Sequence, residues 1–167
     1  MSSIVALRAA EPMKSCCGKC VSLELEQLET EEQFVLWVLR HWITGTSRWS
    51  RLWAGVQSYL GNEDSAAALR AFGDVMLCIK YNGRRPFHAG APGCAVTPDE
   101  LAVLSLVSSQ QHHFDPLTDG LARWLVLPTS QDILKYSVAN FADILLRHKL
   151  ALPDRCTEPE LELLAAI

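Results

Sequence analysis

No stretch of this chain is apolar for long enough to cross a bilayer. The longest apolar runs, such as Phe34 to Leu39, fall far short of the roughly 20 residues a spanning helix needs, so no membrane partner is expected. Excess positive charge is missing too. Fifteen Lys and Arg against 19 Asp and Glu leave a net charge of −4 and a pI near 5.7. An acidic chain gives phosphate backbones little to hold, and nucleic acid is disfavoured as a partner. The Gly-x-Ser-x-Gly elbow of a serine hydrolase is absent, and with it any expectation of nucleophilic catalysis. Gly83, Gly90 and Gly93 have the wrong spacing for a dinucleotide loop, and no strand pattern precedes them. There is no internal repeat of fixed length and no sustained heptad.

Targeting signals are also lacking. Ile4 to Ala10 is weakly apolar and interrupted by Arg8, and Ser15-Cys16 lacks the small residues expected before a lipidated cysteine. The expected location is cytoplasmic, and the six cysteines are expected to be reduced thiols.

What remains is a globular composition, 49% hydrophobic against 20% charged, which excludes a disordered chain. A chain of 167 residues suits one domain that buries about two-thirds of its unfolded surface. Residues 1–29 carry no sustained period and form an irregular N-terminal segment. From Thr30 onward, residues 30–167 read as a single helical domain, because amphipathic stripes recur there with their own start and stop signals.

Thr30 and Gln33 have the spacing of a capping box, and Phe34, Val35, Val38, Leu39 and Trp42 make one helical face. Leu36, Trp37 and Ile43 widen that face past half the circumference, which suits a central helix or one shared with a partner. Thr44-Gly45 ends it. Trp49, Leu52, Trp53, Val56 and Leu60 form the buried stripe of a second helix, stopped by Gly61. A third carries Leu69, Phe72, Met76 and Ile79, and Gly73 within it suggests a close helix crossing.

Asn82 to Val96 holds Gly83, Pro86, Gly90, Pro92 and Gly93, and is expected to be a long loop. Thr97-Pro98-Asp99-Glu100 then starts a fourth helix with a capping box and proline at the first helical position. Asp115-Pro116 starts a fifth and Ser130 a sixth, which Pro153 ends. Thr157 and Glu160 cap a short seventh. Arg70/Asp74, Asp119/Arg123 and Asp143/Arg147 sit one turn apart on solvated faces. The expected fold is all-α: an irregular bundle of about six or seven helices with a long central Gly/Pro-containing loop.

One local cluster could carry chemistry. Cys17 and Cys20, with Cys16 beside them, have the two-residue gap with which two thiolates grip zinc or iron, and Lys19 favours the thiolate. A closed site needs further ligands from a distance: Cys94, Cys156, His88, His112 or His113. Arg84 and Arg85 beside Gly83 could hold an anion. Four of the five tryptophans lie between Trp37 and Trp53, and Trp37 and Trp42 are candidate interface residues.

Three functions are weighed on these residues. The first is a non-catalytic interaction or regulatory protein that self-associates, as a homodimer. The second is a thiol or metal protein using Cys16, Cys17 and Cys20, with zinc, iron or redox chemistry. The third is a helical enzyme whose site is assembled from distant residues, such as His88, Cys94, His112 and His113.

Overall fold

The computed structural model describes residues 23–45 and 48–154. The Cys16, Cys17 and Cys20 cluster, Cys156 and the expected helix after Thr157 lie outside the described residues. Among those described, the chain is all-α with five helices: α1 (Thr30–Ile43), α2 (Trp49–Asn82), α3 (Pro98–Gln111), α4 (Asp115–Leu125) and α5 (Gln131–Arg147). Single 3-10 turns stand at Leu25–Gln27 and Pro128–Ser130. Two isolated bridges, Leu23 with Val96 and Gly83 with Val126, are the extended pairings. No described helix is long and apolar enough to cross a membrane.

The expected second and third helices are one element bent at Gly61. That residue adopts φ 69° and ψ 177°, a conformation L side chains rarely enter. The bend is bridged by hydrogen bonds: Gln57 Nε2 donates to Asn62 Oδ1 at 2.9 Å, and the Ser65 hydroxyl donates back to the Gly61 carbonyl. At α1 the cap sits one residue earlier than the sequence suggests. The Glu29 N–H donates to Glu32 Oε2 at 2.9 Å, while Gln33 turns back to the Leu28 carbonyl. The α3 start follows its sequence signal, with Thr97 Oγ1 accepting from the Glu100 N–H and Glu100 Oε2 accepting from the Thr97 N–H.

The central helix is α3 rather than α1. Ala102, Val103, Leu104, Leu106 and Val107 are all buried, and so are Ser105, Ser108 and Ser109 between them. The three serines are short enough for neighbouring helices to approach closely, and two bond outward from the helix axis. Ser109 Oγ meets Thr118 Oγ1 of α4 at 2.8 Å, and Ser108 Oγ donates to the Pro153 carbonyl at 2.7 Å. Helix α5 packs on α2, α3 and α4. Phe72 of α2 and Phe141 of α5 meet with ring centroids 5.1 Å apart, and burying each such ring contributes about 2–3 kcal/mol.

The wide apolar arc of α1 is occupied largely from within. Phe34, Val35, Leu36, Val38 and Leu39 are buried, and Trp37 and Trp42 are half-buried against the core. The indole of Trp37 lies where a Cβ on Gly55 would stand, and Trp42 lies over Gly73. The expectation that Trp49 lies on a buried stripe is corrected: it is exposed, while Trp53 packs on the core. Helix α2 begins at Trp49, and first-turn residues have fewer neighbours to cover them.

Candidate functional site

Two places concentrate polar chemistry. One is interior, at the N-terminus of α3. Arg40 projects from the buried face of α1 and is 7% exposed; Glu100, at the third position of α3, is 0% exposed. Arg40 Nε and Nη2 donate to the two Glu100 oxygens, each at 2.8 Å. Arg40 Nη1 donates to the Ala91 and Cys94 carbonyls and Nη2 to the Ala95 carbonyl, each at 3.1 Å. A guanidinium has five N–H groups, and all five are engaged. Glu100 accepts further bonds from the Gly90 and Thr97 N–H groups, each at 2.9 Å.

Burial pushes the Glu100 carboxyl up. The Arg40 hydrogen bonds, the Thr97 and Gly90 N–H groups and the Arg40 charge outweigh that, so its pKa lies below the ordinary glutamate range. Beside it, Asp99 is buried and accepts from the two terminal nitrogens of Arg85, Nη2 at 2.5 Å and Nη1 at 3.1 Å, and from the His88 N–H at 2.7 Å. Arg85 also lies 4.1 Å over the Trp124 ring. Together these groups strap the irregular segment between α2 and α3 onto the protein.

The second place is an open groove of about 730 Å³ between α2 and α5. Asp74 and Arg70 of α2, and Asn140, Asp143 and Arg147 of α5, rise around a floor that includes Ala71 and Ile144. Arg147 reaches Asp64 at 3.4 Å, and His148 Nε2 meets the same carboxylate at 2.7 Å. The other charges of the groove make no ion pair among the described residues.

The residues singled out in the sequence fall as follows. Cys94 is exposed, and its carbonyl accepts from Arg40. His88 is exposed near Asp99. His112 closes the C-terminus of α3, its Nε2 2.9 Å from the Leu152 carbonyl, and His113 follows at φ 55°. His88 and Cys94 therefore lie at one end of α3 and His112 and His113 at the other, about 20 Å away along a 14-residue helix. The structure does not bring these four together. Among the described residues no three His, Cys, Asp or Glu side chains form a set that could hold a metal ion.

Arg84 Nε donates to the Val126 carbonyl at 3.1 Å, and the anion that Arg85 holds is Asp99 of its own chain. Trp37 and Trp42 lie against Gly55 and Gly73, and the Trp37 ring stands 4.2 Å from that of His41. Sequence reasoning missed Arg40, Asp99 and Glu100 as a unit. The available signal was a single arginine within the apolar run of the first helix, 60 residues from its partner.

Comparisons with protein-family models, curated proteins and solved structures give no match.

Proposed function

We propose that this protein is a non-catalytic helical interaction protein that self-associates, and that residues 30–167 act as one domain. The observation that carries this is the outer face of the α2–α5 pair. Leu77 and Tyr81 on α2 and Ile133 and Tyr136 on α5 are exposed; Tyr81 and Tyr136 keep 73% and 69% of their surface in water. On each helix these positions continue, at three- and four-residue steps, the row that lines the groove. Large apolar side chains in adjoining rows beside a concave seam suit a protein contact better than solvent.

The interior charges support the same reading from another direction. A catalytic or ligand-binding arginine needs a free N–H, and Arg40 offers none. Arg40, Arg85, Asp99 and Glu100 together hold a loop in place. Sedimentation velocity on the full chain, in reductant, tests the reading. A concentration-dependent shift from monomer to dimer is expected, and a monomer at every concentration up to high micromolar would overturn it.

A further inference from the structure

The groove between α2 and α5 carries its charges in an order that matches itself. The two helices run antiparallel: Asp64 of α2 meets His148 beyond the end of α5, Phe72 meets Phe141, and the Cys78 thiol lies 3.7 Å from the Ser130 carbonyl. Along the seam from Asp64 towards Cys78, α2 presents Arg70 before Asp74, and α5 presents Arg147 before Asp143. Residues four apart on a helix are separated by about 6 Å along its axis. Both walls therefore place a cation towards one end and an anion towards the other.

Ion pairs among the described residues do not account for this arrangement. Arg70 precedes Asp74 on α2, the less favourable order for a one-turn pair, and the two form no ion pair. Asp143 precedes Arg147 in the favourable order, yet Arg147 turns to Asp64. Arg70, Asp74 and Asp143 are left in solvent without an ion-pair partner among the described residues.

We propose that the α2–α5 groove is the self-association surface, and that its occupant is the same groove of a second copy, turned by a two-fold axis. This rests on the self-association proposed above and assigns the face. Rotation by a half turn about an axis through the middle of the groove exchanges its ends. The cations of each copy then stand opposite the anions of the other, and the contact is isologous. A different partner needs only complementary charge. A second copy needs cation and anion to be equivalent under rotation, and both walls meet that condition.

The test is a charge exchange on the full chain, read by sedimentation in reductant. Arg70→Asp with Arg147→Asp sets acid against acid in the dimer, and Asp74→Arg with Asp143→Arg sets base against base. Each double variant is expected to weaken the dimer about a hundredfold or more. An equimolar mixture of the two is expected to recover a dimer, now made of one copy of each. Wild-type protein at about 1 M salt, where screening is nearly complete, is expected to dimerise more weakly than at low salt, which tests the charges without any substitution.

A wild-type chain that stays monomeric overturns both the self-association and this face. A wild-type dimer that both variants retain overturns the face alone. So does a dimer that each variant loses and the mixture fails to restore, or one indifferent to salt.

Discussion

Arg40 and Glu100 meet as a two-pronged ion pair inside the protein, and the same guanidinium gathers three backbone carbonyls of the segment between α2 and α3. Breaking a buried pair from one side leaves an uncompensated charge. Arg40→Ala and Glu100→Gln are each expected to cost about 3–5 kcal/mol, read from urea unfolding. Replacing both by apolar residues, Arg40→Met with Glu100→Leu, is expected to recover only part of that loss. The ion pair is then gone, but the carbonyls of Ala91, Cys94 and Ala95 still lack their donors. A double variant as stable as the wild type would show that those carbonyls find other donors.

The pH dependence follows from the sign of the Glu100 shift. Its folded-state pKa is depressed, so its contribution to stability is fully present above the unfolded value of about 4.3. It is lost as pH falls through the lower folded value. The urea midpoint of the wild type is therefore expected to drop through the acid range more steeply than that of Glu100→Gln, which lacks this ionisation. Parallel curves would show that other carboxylates carry the acid sensitivity.

Two glycines of α2 face tryptophans of α1, and they are expected to respond differently to an added methyl group. An added Cβ at Gly55 would overlap the Trp37 ring, whereas at Gly73 it would stand 3.5 Å from Trp42 Nε1, an ordinary contact. Gly55→Ala is expected to destabilise by about 1–3 kcal/mol through overpacking. Gly73→Ala is expected to be neutral, or to stabilise by up to about 1 kcal/mol from reduced chain entropy. Thermal melts of the two variants give the comparison, and equal losses would mean that the Trp42 indole has no room to accommodate a methyl group.

The thiols of Cys78 and Cys94 differ in environment. Burial pushes the Cys78 thiol up, partly offset by the Asn82 side chain, while Cys94 is exposed. Alkylation at neutral pH followed by peptide mapping is expected to modify Cys94 within minutes and Cys78 only when the protein is unfolded. Early labelling of Cys78 would mean that the contact between α2 and Ser130 opens readily.

Much of the helical layout was legible because its signals are local. Thr97, Pro98 and Glu100 announce α3 within four residues, and Gly61 marks the break that the structure turns into a bend. What was not legible depends on distance along the chain. Glu100 looks like a capping residue until Arg40 arrives from 60 positions away. The same applies to the α2–α5 groove. Arg70/Asp74 and Asp143/Arg147 look like solvated pairs on separate helices, and their common order appears only when the helices are laid antiparallel. Trp49 misled because periodicity assigns a face without saying where along the helix the cover ends.

The bonds from Arg40 to Ala91, Cys94 and Ala95 also limit how this molecule can diverge. Connections between helices ordinarily tolerate added or removed residues. Here three carbonyls within five positions must converge on one planar cation, so a single insertion between Ala91 and Ala95 turns at least one of them away. Relatives of this chain should vary freely in the length of other connections and hold this one constant wherever an arginine occupies the place of Arg40.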